Sequence, residues 1–256
     1  PAGNVAYLAD HSLSGVYLVK EGITRVSGSD RYATSAAISQ QAFPAGANTV
    51  FIATGLNYPD ALSAGPAAAS MNAPLLLTEP GVLPPVIKAE VQRLKPTTVY
   101  VIGSASVVSN AVLAELDAIA TGTATRIGGV DRFDTSRQVT ELAFGVSGAS
   151  DVYIATGLNF PDALTASGVG ATFGNQVILV PGTAPAVDQA TLDLLSSLNA
   201  KNVMIAGSTT VVSSGIQTQL DGTPGILSVT RLAGANRYET GLAIVQAQVG
   251  SGYSSP

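Results

Sequence analysis

The sequence predicts an α/β fold built from tandem flavodoxin-like or Rossmann-like modules, each with a parallel sheet. Three observations lead to this prediction. Apolar runs alternate with helical patterns, the runs are almost continuously apolar, and long stretches recur at an interval of about a hundred residues. Continuous apolar runs are typical of parallel strands that helices cover on both faces. The recurrence predicts two complete repeats and the start of a third.

Three short headings and two copies of a longer stretch define the repeat. The headings are RVSGSDRYATS from Arg25, RIGGVDRFDTS from Arg126 and RLAGANRYETG from Arg231. The stretch ATGLNYPDAL at 53–62 returns as ATGLNFPDAL at 155–164. These intervals divide the chain into an N-terminal segment outside the repeat (1–22), module 1 (23–123), module 2 (124–228) and a partial repeat 3 (229–256).

Periodicity and short connections indicate the elements in order, and module 2 repeats the pattern of module 1. The N-terminal segment, with VAYLADHSLSGVYLVKEG, indicates two short strands about a polar turn. The last strand and helix of the chain either begin a third module or complete the second one by packing on it. In module 1 we expect strands near 24–27 and at 49–53, 74–78 and 98–102, and helices at 31–43, 58–71, 84–94 and 106–120.

Composition excludes several classes of protein. Hydrophobic residues make up 46% of the chain and charged residues 11%, which supplies a sizeable core and argues against disorder. The absence of cysteine excludes disulfides, thiolate metal sites and thiol catalysis. The formal net charge of −5 provides no basic surface for duplex nucleic acid. No apolar run approaches the roughly 18 residues of a membrane span, and we expect that any export signal has been removed or lies outside this sequence.

Two arginines recur at the same places in every heading, although the chain has only 12 lysines and arginines. Either the guanidinium groups bridge strand ends, helix ends or neighbouring modules, or they contact an anionic ligand, whose oxygens match the guanidinium fork. The residue before the second arginine is Asp, Asp and then Asn, which are interchangeable as helix N-caps but not as catalytic carboxylates. The arginines are Arg25, Arg31, Arg126, Arg132, Arg231 and Arg237, and the caps are Asp30, Asp131 and Asn236.

The ATGLN stretch predicts a helix start rather than a nucleotide-binding loop. It places Asn57 or Asn159 as a cap, a proline early in the helix, and Asp60 or Asp162 in the first turn, where a carboxylate suits the helix dipole. A pyrophosphate loop needs further glycines, or a lysine with a hydroxyl, and the aspartate would repel phosphate. The two aspartates are also available as a glycosidase pair. The single histidine, His11, lies outside the repeats, so the sequence predicts no metal site and no histidine triad within a module.

The headings R-x-x-G-x-D/N-R-Y/F-x-T and the stretches A-T-G-L-N-Y/F-P-D-A-L together resemble the type-2 cell-wall-binding repeat family of Gram-positive bacterial surface proteins, over about residues 23–249. The resemblance implies Rossmann-like modules, typically three with pseudo-threefold symmetry. It also implies binding to an anionic secondary cell-wall polymer, which anchors an exported protein whose other domains carry enzymatic or adhesive activity. The family's Ile-Leu-Leu-type motif, implicated in polymer recognition, falls on Leu75, Leu76 and Leu77 and, more loosely, on Val177, Ile178 and Leu179.

The leading hypothesis is therefore a secreted, non-catalytic anchoring module of the cell wall or cell surface, without cofactor, metal, nucleic acid or membrane span. We expect the polymer to bind at module junctions that are lined by the heading arginines and the ends of the Leu75–Leu77 strands. A self-assembling scaffold is the alternative, because a third module or an oligomer partner would complete the partial repeat. A wall hydrolase that uses a carboxylate such as Asp60 is the remaining alternative.

Overall fold

The computed structural model describes residues 25–249 and the backbone of two N-terminal strands. Two four-stranded parallel sheets with intervening helices make up the repeats, as the sequence predicts. The strands are β1 (Ala6–Ala9), β2 (Val16–Val19), β3 (Thr49–Thr54), β4 (Leu75–Thr78), β5 (Thr98–Ile102), β6 (Thr123–Ile127), β7 (Asp151–Thr156), β8 (Gln176–Val180), β9 (Asn202–Ala206) and β10 (Ser228–Leu232). The helices are α1 (Arg31–Ala42), α2 (Pro59–Ser70), α3 (Pro85–Leu94), α4 (Asn110–Ile119), α5 (Arg132–Phe144), α6 (Pro161–Phe173), α7 (Gln189–Ser197), α8 (Ser214–Asp221) and α9 (Arg237–Val249).

Both sheets have the same strand order. The first is β4-β3-β5-β6 and the second is β8-β7-β9-β10, with every neighbouring pair parallel. This is a flavodoxin-like order, in which the strand order reverses beside the central first strand. Residues 50–53 of β3 have no exposed surface, which explains why the sequence there is apolar without alternation. None of the helices in the described ranges is long and apolar enough to cross a bilayer.

The headings of the second and third repeats close the preceding sheets. β6 pairs with β5, which places Arg126 opposite Val101, and β10 pairs with β9, which places Arg231 opposite Ile205. The strand expected near 24–27 is wrong over the residues that the structure describes, because residues 25–28 form no strand. The equivalent segments form strands by pairing with the last strand of a preceding parallel sheet, and the described strands before Arg25 form only the antiparallel pair β1 and β2.

Three other expectations have clear outcomes. β1 and β2 pair antiparallel, as expected, with Ala6 opposite Val19; the turn between them lies outside the described residues. The helix expected at 106–120 begins only at Asn110, because residues 104–108 form a turn in which two amides bond the Ser104 carbonyl. The last strand and helix pack on the second module, since β10 joins its sheet and α9 packs against α6.

Helix α2 joins the two halves of the molecule. It packs against α5, α6 and β8 of the second half. Leu62 of α2 is only 6% exposed and belongs to a core cluster with Tyr153 and Leu179 of the second sheet. The Ser167 hydroxyl of α6 donates to the Leu62 carbonyl at 2.9 Å. A Cβ on Gly65 would lie 2.7 Å from the Ser167 hydroxyl oxygen, so the small residues of this helix permit the close approach.

Candidate functional site

Each heading folds into the same helix start. The Asp131 carboxylate accepts hydrogen bonds from the amides of Phe133 and Asp134, at 2.9 and 2.8 Å, and thereby caps α5. The Thr135 hydroxyl donates to the Asp131 carbonyl and accepts from the Gly129 amide. These contacts explain why the cap and the threonine keep the same spacing in all three headings. The equivalent cap and threonine are Asp30 with Thr34 in α1 and Asn236 with Thr240 in α9.

The second helix start differs from the prediction. Helix α2 begins at Pro59, so its N-cap is Tyr58, and Asn57 lies one residue before the cap. The Asn57 side chain accepts from the neighbouring Tyr58 amide at 2.9 Å and does not cap the helix. Proline at the first helical position fixes the start there, because its ring sets φ and its missing N–H needs no partner. In module 2, helix α6 likewise begins at Pro161, with Phe160 as its N-cap and Asn159 one residue before the cap.

The loop after β3 offers little to a phosphate. The Gly55 amide donates to the Thr78 carbonyl at 2.8 Å, and the Leu56 amide donates to the Thr54 hydroxyl at 3.2 Å. The Gly55 carbonyl accepts from Arg31. Because these polar groups are engaged within the fold, the loop does not form the open cradle of amides that a pyrophosphate requires.

The first arginine of the second and third headings holds a strand end together. Arg126 donates to the Gly103 carbonyl at 2.8 Å, and Arg231 donates to the Gly207 carbonyl at 2.8 Å. Burial lowers the pKa of both guanidinium groups. These two arginines therefore bridge the ends of neighbouring strands. Arg25, the first arginine of the first heading, is exposed.

The second arginine of each heading begins a helix, and in the first two headings it bonds a loop carbonyl. Arg31 donates to the Gly55 carbonyl, and Arg132 donates to the Gly157 carbonyl at 2.8 Å. Arg237 is exposed and makes no hydrogen bond within the described residues. The structural interpretation thus holds for Arg31, Arg126, Arg132 and Arg231, which all bond carbonyls. Arg132 and Arg237 also line a cleft, and contact of either with an anionic ligand stays a prediction.

Cleft 1 opens at the carboxyl ends of the strands of the first sheet, where α2 and α5 begin. Its volume is about 180 Å³. It lies beyond β3 and β5, the point where the strand order of a doubly wound sheet reverses and where ligands bind. Cleft 1 is lined by Asn57, Pro59, Asp60, Ser104, Ser106, Val107, Gly129, Val130, Asp131, Arg132 and Thr135.

Cleft 2 is the same structure at the second sheet, with a volume of about 220 Å³. Asp162 takes the place of Asp60, Ser208 that of Ser104, and Arg237 that of Arg132. Both clefts are smaller than the roughly 300–1,000 Å³ pockets that enclose drug-sized ligands, so each suits one unit of a larger molecule. Cleft 2 is lined by Asn159, Pro161, Asp162, Ser208, Val211, Gly234, Ala235, Asn236, Arg237 and Thr240.

An aspartate that is largely buried lies in each cleft, with its carboxylate oxygens open to the cleft. Asp60 and Asp162 are each 7% exposed, and no group in the described residues donates a hydrogen bond to either side chain. Burial raises the pKa of Asp60, and the charge of Arg132 partly offsets this rise. Burial likewise raises the pKa of Asp162, offset in part by Arg237. Neither carboxylate forms an ion pair with its arginine, so both have acceptor capacity that the protein leaves unused.

A glycine makes room for each carboxylate. Gly103 follows β5 with φ of +105°, and a Cβ there would lie 2.6 Å from Oδ2 of Asp60. Gly207 has φ of +116°, and a Cβ there would lie 2.7 Å from Oδ2 of Asp162. Only glycine tolerates both the positive φ and the close approach of the carboxylate oxygen. The same geometry occurs in both clefts.

Sequence reasoning missed the turn after β5. The hydroxyls of Ser104 and Ser106 are hydrogen-bonded to each other at 2.8 Å, and both residues line cleft 1. Ser208 and Thr210 form the same pair after β9. A recurring pattern could have indicated this turn, since GSAS at 103–106 and GSTT at 207–210 occupy equivalent positions in the two modules. The burial of Asp60 was missed because a first-turn carboxylate gives the same pattern whether exposed or buried.

The apolar motif does not line either cleft. Leu76, Val177, Ile178 and Leu179 have no exposed surface, and Leu75 and Leu77 are half-buried. β4 and β8, which carry them, are edge strands on the far side of β3 and β7 from the clefts. Leu179 lies close to Gly157, since a Cβ there would be 3.4 Å from the Leu179 Cβ and 3.3 Å from the Arg132 Cδ. The Leu179 side chain itself belongs to the core. A role of these residues in polymer recognition stays a prediction.

The clefts do not assemble a pair of catalytic carboxylates. Asp60 and Asp162 lie in different clefts that share no lining residue. Cleft 1 also contains Asp131, but its carboxylate is engaged with two helix amides, and Asn236 stands at that place in cleft 2. No three histidine, aspartate or glutamate side chains gather as a metal site in the portion of the chain with described coordinates.

Known proteins resemble this chain across both repeats. The family described as cell wall binding domain 2 (CWB2) matches residues 25–113 and 126–217. "N-acetylmuramoyl-L-alanine amidase LytC" of Bacillus subtilis (strain 168) is 30% identical over 229 residues, which cover 90% of this chain and 44% of that protein. "Amidase enhancer" of the same organism is 29% identical over 225 residues, which cover 87% of this chain and 29% of that protein. The chain thus spans less than half the length of these curated relatives.

Two solved structures have the same fold. Cwp6 from Clostridium difficile superimposes with a TM-score of 0.80 and 27% identity, over 94% of this chain and 39% of that one. Cwp8 from Clostridium difficile superimposes with a TM-score of 0.77 and 26% identity, over 86% of this chain and 37% of that one.

Proposed function

This chain belongs to the cell wall binding domain 2 family, and we propose that it is a non-catalytic module that anchors a secreted protein by binding an anionic secondary polymer of the cell wall. The family supports a wall-binding role at the cell wall or surface. The relatives named as an amidase and an amidase enhancer are more than twice as long as this chain. Their matched portion is therefore compatible with a binding function that leaves the activity to other domains.

The duplication of the clefts is the observation that carries this proposal. Each cleft presents one guanidinium, from Arg132 or Arg237, at a place where doubly wound sheets bind ligands. Arg126 and Arg231 are used by the fold. Arg132 lines cleft 1 in addition to its bond with the Gly157 carbonyl, and Arg237 lines cleft 2 without a hydrogen bond in the described residues. Screening over about 8–10 Å lets a local arginine attract an anion although the net charge of the chain is −5. Two equivalent sites on one chain would also bind successive units of one polymer.

Replacing Arg237 by alanine tests the proposal. We expect retention on isolated Gram-positive cell walls to weaken about tenfold, and further in the Arg132→Ala/Arg237→Ala double variant, because a charge-assisted hydrogen bond contributes about 1.5–3 kcal/mol. Retention of the unchanged chain should fall with added salt and should be lost on walls stripped of their secondary polymer. A wall pull-down with a salt series measures all three effects.

Lys88→Ala is the matched control, since it removes one positive charge from an exposed pair with Glu115 that contributes little. Arg237 makes no carbonyl contact within the described residues, so Arg237→Ala should leave the thermal unfolding midpoint unchanged. Equal retention of the Arg237→Ala and Lys88→Ala variants, or undiminished retention on stripped walls, would contradict polymer binding at the clefts.

A second candidate function is self-assembly, and an exposed apolar surface favours it. Leu164 of α6 is 55% exposed, whereas its counterpart Leu62 in α2 is buried against the second half of the molecule. α9 adds Leu242 and Val245, which are 54% and 41% exposed. This surface corresponds to the one through which module 1 contacts module 2. We propose that it takes a second copy of the chain.

Light scattering over a concentration series tests this candidate. We expect association of the unchanged chain at micromolar concentration and a monomer for the Leu164→Asp/Leu242→Asp variant, because charges on the apolar surface oppose its burial. A chain that stays monomeric at every concentration would contradict self-assembly and leave wall binding unaffected.

A further inference from the structure

A second pair of pockets lies at the opposite end of the two sheets from the clefts. Basal pocket 1 opens at the amino end of β3, between residues 45–49, 71–72 and 93–95. Basal pocket 2 opens at the amino end of β7, between residues 147–151, 173–175 and 198–199. Their volumes are about 510 and 490 Å³, which fall within the range of pockets that enclose small molecules.

The backbone around the two basal pockets is the same. Three residues with positive φ border each pocket, and they occupy equivalent positions in the two modules. They are Gly46, Asn72 and Lys95 in the first pocket, and Gly148, Gly174 and Asn199 in the second. Because the backbone frames match, any difference between the pockets in ligand binding must come from the side chains.

The side chains of basal pocket 2 include an aromatic ring and a free amide that module 1 does not have. Phe173 and Asn175 stand where module 1 has Met71 and Ala73. Phe173 ends α6 and is 48% exposed. Asn175 is 8% exposed, borders the pocket, and makes no side-chain hydrogen bond within the described residues. Since module 1 folds with an alanine at this place, the fold does not require the amide.

We propose that basal pocket 2 binds a neutral saccharide. The ring of Phe173 would pack on the C–H face of a sugar ring, an apolar contact of the kind that aromatic side chains make well. The amides of Asn175 and Asn199 and the hydroxyl of Ser150 would exchange hydrogen bonds with the sugar hydroxyls. This inference goes beyond the polymer binding proposed for the clefts, because it concerns another site and an uncharged ligand.

Charge disfavours an anion in basal pocket 2. No lysine or arginine lines it, whereas the carboxylate of Asp151 does. α6 and α7 also end at this pocket, and the C-terminus of a helix carries the negative end of its dipole. In module 1, Arg93 lines the pocket and donates to the carbonyls of Phe43 and Pro44 at the end of α1. Ser197 stands at the place of Arg93 in module 2, so this positive charge is missing there.

The hydrogen-bonding groups favour a hydroxyl-rich ligand over a cation. The Asp151 carboxylate already accepts from the Asn202 amide at 2.6 Å, and no three acidic or histidine side chains gather as a metal site among the described residues. An ammonium group offers donors only, so it would leave the donors of the Asn175 and Asn199 amides unused. A sugar hydroxyl both donates and accepts, and it therefore matches the amides in both directions.

Titration of the purified chain with three soluble probes tests the inference. The probes are chitotetraose, which is neutral and carries hydroxyl and acetamido groups, tetragalacturonate, which is an anionic oligosaccharide, and spermine, which carries ammonium groups. We expect only chitotetraose to bind, and we expect it to shift the backbone amide resonances of residues 147–151 and 173–175. In the Phe173→Met/Asn175→Ala variant the affinity should fall about tenfold or more, because a ring contact and a hydrogen bond are lost.

This variant should keep its fold, since it places the residues of module 1 at the same two positions of module 2. Met71→Ala is the matched control: it truncates the equivalent side chain of basal pocket 1, and it should leave the affinity for chitotetraose unchanged. Arg237→Ala should also leave it unchanged, which separates this site from the clefts. Absence of chitotetraose binding, equal binding of tetragalacturonate or spermine, or undiminished affinity in the Phe173→Met/Asn175→Ala variant would overturn the inference.

Discussion

Leu62→Ala is expected to lower the free energy of unfolding by about 2–5 kcal/mol, the usual range for removing a buried leucine side chain. Leu62 lies in a core cluster with Tyr153, Ala155 and Leu179, all of them in the second sheet. Its loss would leave a cavity where α2 packs against the second half of the molecule. For a chain of this size the midpoint of thermal unfolding should fall by roughly 5–15 °C, which calorimetry or circular dichroism measures.

Leu164→Ala is the internal control for this prediction. Leu164 has the same place in the PDAL sequence of the second repeat but is 55% exposed. Its replacement should change stability by no more than about 0.5 kcal/mol. A similar loss in both variants would mean that α2 does not bury Leu62 against the second half in solution.

Docking of the halves also shapes cleft 1. Its walls come from the start of α2 on one side and the start of α5 on the other. We therefore expect Leu62→Ala to weaken wall retention as well as stability, whereas Leu164→Ala should affect retention only if the exposed α6–α9 surface takes part in binding. The pair of variants thus separates the contribution of the junction from that of its exposed counterpart.

The sheets could be predicted because their signals are local. The almost continuously apolar run at 49–53 and the early proline at Pro59 each specify an element within a few residues. The strand predicted near 24–27 failed for a non-local reason: β6 and β10 exist only because β5 and β9 lie beside them. A pattern that the three headings share therefore forms a strand only where a neighbouring strand is present to pair with it.

The site was less predictable than the fold. The recurring arginines left a structural role and a ligand contact both open, because the sequence could not say that Arg126 bonds a carbonyl while Arg132 also lines a cleft. The buried state of Asp60 depends on the approach of Gly103, which is 43 residues away along the chain. Such contacts follow from the register of neighbouring parallel strands, which no local pattern encodes.

Arg93→Ala is expected to lower the free energy of unfolding by about 3–5 kcal/mol, because it leaves the buried carboxylate of Glu90 without its ion-pair partner. Glu90 of α3 is 1% exposed and accepts two hydrogen bonds from Arg93, at 2.8 and 2.7 Å, and one from Ser39 at 2.6 Å. Burial alone raises the pKa of Glu90, but the bonds from Arg93, Ser39 and Gln40 outweigh it and lower the pKa below its ordinary value of 4.5.

The second module shows which residues can take the place of this ion pair. Leu194 and Ser197 stand where the first module has Glu90 and Arg93. The Glu90→Leu/Arg93→Ser variant should therefore recover stability to within about 1 kcal/mol of the unchanged chain, since an apolar replacement of a buried ion pair is often neutral. Denaturant unfolding at neutral pH measures the free energy of unfolding of the Arg93→Ala and Glu90→Leu/Arg93→Ser variants. A loss below about 1 kcal/mol in Arg93→Ala would contradict a buried, ionised Glu90.

The pH dependence gives the same ion pair a second, independent readout. A carboxyl whose pKa is lower in the folded than in the unfolded chain stabilises the fold above the unfolded value and loses that contribution as the pH falls through the folded value. The unchanged chain should therefore lose stability from about pH 4.5 downward in part through Glu90. The Glu90→Leu/Arg93→Ser variant lacks this carboxyl, so its stability should fall less steeply over the same range. If the stability of both proteins fell equally steeply with pH, the pKa of Glu90 would not be lowered by Arg93.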